Sequence, residues 1–256
     1  AADIVLWWLT RYDDATIVTT APTWLQVEAL LWGEIRSSLR DSLIEFPEPN
    51  MTSLPAGNNR TALGLSTDQP TRFQGFHGEH VLVIFDEATG VRAPIWEALE
   101  GIRAGGEVHV LAIGNPTELG GPFHQIYQSQ LVGWTRFTIS AFDTPNLEGE
   151  HTESIRTRIE RDPMMEEAWW DENPWPMLIG RRWVGEALRN WGESHPLWQS
   201  RVLGEFPDEA DNTFFPQSTI DAGFDADIEE DADIRPVLGL DVARFGSDEN
   251  VLYINR

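Results

Sequence analysis

The run Val81-Leu82-Val83-Ile84-Phe85 admits few folds. Consecutive side chains of an extended chain point to opposite sides, so an unbroken apolar run must be covered on both. A central strand of a parallel sheet, with helices on each face, meets that demand, and the run predicts an α/β architecture. Asp86 and Glu87 follow at once, at the C-terminal end of the strand. Open α/β sheets bind their ligands at that edge.

The flanking segments continue the pattern. Residues 1–9 read as a helix without a capping residue before it. The β-branched run 16–20 (TIVTT) predicts a strand, and Pro22 ends it. Thr23 is placed to cap a helix over about 24–39, where Val27, Leu30, Leu31, Ile35 and Leu39 keep helical spacing. Residues 45–60, rich in Pro, Asn and Gly, read as an exposed loop, and 61–66 as a strand. Residues 94–102 give a helix, and 108–113 (VHVLAI) a second strand buried on both faces. A further strand is predicted over 134–140 (WTRFTIS). The stretch from about 150 to 203 reads as mostly helical, broken by Pro163, Pro174, Pro176 and Pro196. Acidic residues crowd 205–233, and 237–242 pairs with 251–254 as a hairpin.

Composition narrows the class. The chain has 42 acidic and 18 basic residues, for a formal charge of −24. Every basic residue is arginine; there is no lysine. Such a balance repels nucleic acid at long range except where arginines cluster or salt screens the field. It is the composition that a high-salt or GC-rich source favours. A phosphate-binding loop of the form G-x-x-x-x-G-K-[ST] requires a lysine, so that loop is absent from these residues or replaced by a deviant one. There is no cysteine, hence no disulfide framework or thiolate metal site. No apolar run reaches the roughly 18 residues of a membrane span, and no basic region precedes the first apolar stretch as in a secretory signal. These features fit an intracellular protein.

Three clusters carry chemistry. An aspartate at the end of a buried strand can hold Mg²⁺, and a glutamate beside it can polarise an attacking water, as in ATP hydrolysis; the plainer alternative is a buried strand that happens to end in acids. The turn Gly114-Asn115-Pro116-Thr117 closes the next strand at the same edge, where Asn115 could sense a terminal phosphate, although Gly, Asn and Pro also favour ordinary turns. In the segment 239–248 (GLDVARFGSD), Asp241 lies inside an apolar strand and Asp248 beyond a Gly-containing turn. Two carboxylates converging across a hairpin suit metal-dependent phosphodiester cleavage, against the alternative of a satisfied surface turn. The segment 77–80 (HGEH) lacks zinc-site spacing. The tryptophans read as packing residues, and Arg181-Arg182 as a solvated helix start.

In this order these segments resemble the large terminase subunit of tailed phages and archaeal tailed viruses, the motor that packages DNA into procapsids. The resemblance rests on 16–36 (TIVTTAPTWLQVEALLWGEIR), Phe76-His77-Gly78-Glu79, the run extended as FDEATGV, and Gly114-Asn115-Pro116-Thr117. It continues through 138–143 (TISAFD) with Pro145-Asn146, 201–207 (RVLGEFP) and 239–248. It implies a P-loop ATPase of the kind with a catalytic glutamate, over residues 1–207, with a helical subdomain at about 150–205. An acidic linker at 208–235 and the start of an RNase H-like nuclease at 236–256 would follow. On this resemblance the run 81–87 is the Walker B strand: Asp86 coordinates Mg²⁺, Glu87 activates water, and Asn115 belongs to a motif coupling ATP hydrolysis to DNA movement. Asp241 is the first nuclease metal ligand and Asp248 a second candidate, with Mg²⁺ or Mn²⁺. The implied partners are double-stranded DNA, a small terminase subunit, the portal protein and further copies in a ring, all in the host cytoplasm. The family's phosphate-binding loop would precede residue 1 and its remaining nuclease acids follow residue 256. The chain therefore reads as an internal piece of a longer protein, with a helicase-like ATPase or an inert P-loop-fold domain as alternatives.

Overall fold

The computed structural model describes residues 1–66, 72–73, 75–128, 133–207, 237–241 and 251–255. The chain forms two units, Ala1–Thr213 and Phe214–Arg256.

The first unit is α/β. Strands β1 (Ala15–Thr20), β2 (Ser53–Gly57), β3 (Arg60–Gly64), β4 (His80–Phe85) and β5 (Glu107–Ala112) make one sheet in the order β2-β3-β1-β4-β5. All neighbours are parallel except β2, which runs antiparallel to β3 at one edge. The central strands β1 and β4 are the most completely buried. Leu82 and Ile84 pack with Ile17 under helices α1 (Ala2–Arg11) and α2 (Trp32–Asp41). Val81, Val83 and Phe85 face the other way, onto Ile95, Leu99 and Ile102 of α3 (Ala93–Arg103) and Phe123 and Ile126 of α4 (Gly121–Gln128). Each such buried side chain contributes about 1.5–3 kcal/mol. The unbroken run 81–85 is thus two interleaved faces, each with its own helical layer.

Local signals set the helix ends. The Thr23 hydroxyl accepts from Gln26 N–H at 3.3 Å, and the Gln26 side-chain oxygen accepts from Thr23 N–H at 3.0 Å. This reciprocal capping box is the one the threonine predicts. The chain then widens into a π-helical stretch, Gln26–Leu31, before α2. Pro94 sits in the first turn of α3, where a missing N–H has no helical partner to lose.

Three expectations about strands are corrected. The loop expected over 45–60 contains strand β2: Asn58 and Asn59 both take positive φ (51° and 60°), making a two-residue hairpin turn into β3. Pro55 is tolerated because β2 is an edge strand. Strand β5 is not buried on both faces; it is the opposite edge, and its residues are half-buried or exposed. Residues 134–140 form no strand and join no sheet among the described residues, with Phe137 and Ile139 exposed. Strand propensity supplies no hydrogen-bonding partner, and a strand exists only with one.

A third core lies in the helical part, where α5 (Thr152–Arg161), α6 (Arg181–Trp191) and the turns around them enclose Leu147, Ile155, Trp170, Val184 and Trp198. Arg181, expected at a solvated helix start, is instead a strut. Its Nε donates to the Asn146 carbonyl at 2.7 Å, and its guanidinium lies 4.7 Å from the Trp169 ring, which Arg158 also meets at 3.7 Å. Among the described residues no helix is long and apolar enough to cross a membrane.

In the second unit β6 (Val237–Asp241) pairs antiparallel with β7 (Val251–Asn255), the hairpin expected. The expected acidic linker, 208–235, lies outside the described residues.

Candidate active site

The C-terminal edge of the sheet is built from loops that approach one another closely. Asp86 leaves β4 with its N–H on the Thr20 carbonyl at 2.9 Å, so the end of β1 holds it. Glu87 then takes φ 49°, ψ 49°, a left-handed conformation that costs a non-glycine residue about 1–2 kcal/mol. The neighbours impose it: Ala88 N–H donates to the Ile113 carbonyl at 2.8 Å, and Gly90 N–H to the Glu87 carbonyl at 3.0 Å. A single-turn 3₁₀ helix, Ala88–Gly90, follows.

The turn after β5 fits against this loop. A Cβ on Gly114 would lie 2.9 Å from Ala88 N, and one on Gly90 would lie 2.7 Å from Pro22 Cγ. Both glycines are therefore required by close approach. The Asn115 carbonyl accepts twice, from the Thr89 hydroxyl at 2.5 Å and from Thr117 N–H at 2.9 Å. Asp86 is half-buried, and Glu87 and Asn115 are exposed.

Asp86, Glu87 and Asn115 all line one groove of 770 Å³. It runs along the outer edge of β5, with residues 133–139 as its far wall. Glu107 N–H donates to the Glu79 carbonyl, just before β4, and Ile113 N–H to the Phe85 carbonyl at its end. By the two-residue period the polar backbone groups of Val108, Val110 and Ala112 face the groove. Tyr127 closes one side, its hydroxyl donating to the Phe137 carbonyl at 3.1 Å, and burial raises its phenol above the ordinary range. Nearby, His124 packs on Phe206 and burial pushes its imidazole below the usual value.

Of the residues expected to carry chemistry, the fold brings Asp86, Glu87 and Asn115 together. Asp241 is the last residue of β6, opposite Val251. Asp248 lies outside the described residues. His80, from the HGEH segment, starts β4; its Nδ1 is 3.0 Å from Glu107, whose other oxygen meets His109 at 2.8 Å. The His109 contact is the main reason that the Glu107 carboxyl sits below its ordinary value. Thr89 is not among the residues the sequence singles out, although it stands three positions after Asp86 in FDEAT. Only the folded contact with Asn115 distinguishes it from any loop threonine.

Among the described residues no group of three or more His, Cys, Asp or Glu is gathered as a metal cage. Mg²⁺ is commonly held by one or two carboxylates together with substrate phosphates and water, and Asp86, half-buried at the end of β4, is the acid here that could supply one. The chain matches no protein-family model and shows no significant similarity to any curated protein.

Proposed function

We propose that the first unit is the ATP-hydrolysing part of a viral DNA-packaging motor, a large terminase subunit. The observation that carries this reading is the pairing of two acids at the end of the central strand β4 with the Asn115 turn at the end of β5, on one groove. Asp86 would hold Mg²⁺ against the nucleotide phosphates, and the metal would neutralise charge that develops on them. Glu87, exposed and fixed in position by its strained backbone, would accept a proton from the attacking water. Asn115 would read the terminal phosphate and pass its loss to the rest of the motor. The order of the matching segments along the chain supports DNA as the transported substrate, together with a small terminase subunit, a portal protein and a ring of copies.

With no lysine in the chain, the usual phosphate-binding loop cannot come from these 256 residues. The open edge of β5 supports a place for it: a strand added there would end beside Asp86 and Glu87. The nuclease half of the proposal rests on Asp241 and Asp248 as ligands of Mg²⁺ or Mn²⁺, and is supported by the sequence pattern alone.

The test is Glu87→Gln in the complete gene product. ATP turnover should fall by at least about a hundredfold, the range of a lost general base, with nucleotide binding retained. Turnover within a few fold of the parent would remove Glu87 from this role, and absence of ATP turnover in the parent itself would remove the ATPase reading.

A further inference from the structure

The loop carrying the acids and the turn carrying Asn115 are joined by two hydrogen bonds. One is between backbones, Ala88 N–H to the Ile113 carbonyl. The other comes from a side chain: the Thr89 hydroxyl donates to the Asn115 carbonyl at 2.5 Å. Among the described residues it is the one side-chain hydrogen bond between the two loops. Resting on the ATPase reading, we infer that Thr89 is a positioning residue that locks Asn115 in register with Glu87 and carries movement of one loop to the other.

The geometry suits that role. Threonine is β-branched and stiff about its first torsion, so its hydroxyl holds one direction where a longer polar side chain would swing. Thr89 lies two residues after the left-handed Glu87, within the same 3₁₀ turn, so a shift at Asn115 reaches the Glu87 backbone through few rotatable bonds. The acceptor is a backbone carbonyl already held by Thr117 N–H at 2.9 Å. The two donors together fix the peptide plane from which the Asn115 side chain departs. No Cβ on residue 114 separates the loops, and a substituent there would sit 3.3 Å from the Thr89 hydroxyl oxygen. Thr89 does not line the groove. Its effect therefore passes through Asn115 and Glu87 rather than through substrate.

The experiment uses the complete gene product with Thr89→Val, Thr89→Ser and Glu87→Gln. Valine keeps the shape of threonine and removes the donor; serine keeps the donor. In Thr89→Val, kcat for ATP should fall roughly tenfold, the loss of one oriented hydrogen bond, while KM changes less than about threefold. Thr89→Ser should recover most of the parent kcat. Because the bond is exposed, melting temperature should be unchanged in both variants. Equal kcat in Thr89→Val and the parent would overturn the inference. So would equal losses in the valine and serine variants, since shape and not the donor would then matter. Loss of turnover in Glu87→Gln alongside an unaffected Thr89→Val would sink this inference and leave the ATPase reading standing. Retained turnover in Glu87→Gln would remove Glu87 from its role and this inference with it, whereas absence of ATP turnover in the parent would remove the ATPase reading.

Discussion

At Glu87 the backbone strain and the chemistry are separable. The left-handed conformation costs a glutamate about 1–2 kcal/mol, and a glycine would avoid that at an entropic cost of about 0.5–1 kcal/mol. Glu87→Gly should therefore be as stable as the parent or more stable, by up to about 1.5 kcal/mol in urea unfolding, while losing turnover. Glu87→Ala should show the same lost turnover without the gain. The opposite kind of residue is Asn146, fully buried and outside the lining of the groove. Its amide donates to the carbonyls of Trp175 at 2.9 Å and Ile179 at 3.0 Å, and its oxygen accepts from Trp175 N–H at 3.0 Å. Truncation strands these backbone groups, so Asn146→Ala should cost about 2–4 kcal/mol in the same measurement. Asp162 makes a comparable hub near the surface. Backbone N–H donors, Glu167 first, then Glu166, together with the Trp170 indole, hold its carboxyl below the ordinary value of 3.8. The stabilisation is complete above that value and is lost as the pH falls from it through the lower native value. Asp162→Asn should flatten acid unfolding in that window, read from tryptophan fluorescence.

Among elements, legibility follows the number of neighbours each needs. The central strand β4 is plain from Val81 to Phe85 because burial on two faces leaves no polar position. The helix capped by Thr23 is plain because its start is written within four residues. Hairpin β2–β3 is hidden in a stretch rich in Pro and Asn, although Asn58-Asn59 is itself a turn signal. A residue that tolerates positive φ poorly tests that turn: Asn59→Val should cost about 1–2 kcal/mol in unfolding experiments. Strand β5 and the segment 134–140 depart from expectation for one reason. Both have strand composition, yet β5 is paired on one side only and 134–140 on neither, among the described residues. Pairing is a tertiary property that the residues of one segment do not record. The candidate site divides in the same way. The types and spacing of Asp86, Glu87 and Asn115 are visible in the sequence. Their convergence on one groove, the strain at Glu87 and the link through Thr89 belong to the fold.

At the scale of the whole molecule, charge outweighs every single contact. Acidic residues exceed basic ones by 24, so even complete pairing of every arginine leaves that excess unpaired. Several arginines are already committed in the helical part: Arg158 to Glu150 and Glu167, Arg161 to Glu167, Arg181 to Glu172, and Arg182 to Asp171. Such surface pairs are worth about 0–1 kcal/mol each and weaken with salt. Repulsion among the surplus carboxylates acts over longer distances, and it opposes the compact state more than the expanded one. Screening shortens from about 10 Å at 0.1 M to about 3 Å at 1 M, so added salt removes the long-range repulsion while contact pairs lose less. The two effects oppose each other, and the surplus decides the sign. The melting temperature should rise between about 0.1 and 1 M KCl and rise less in variants where surface carboxylates are replaced by their amides. The same field bears on DNA. Arginines tied to carboxylates contribute little to a phosphate-binding surface, so binding of duplex DNA by this chain should be weak, with a shallow salt slope for few phosphate contacts. A steep slope, of the order of six or more contacts, would show that arginines elsewhere in the chain assemble a basic track despite the net charge.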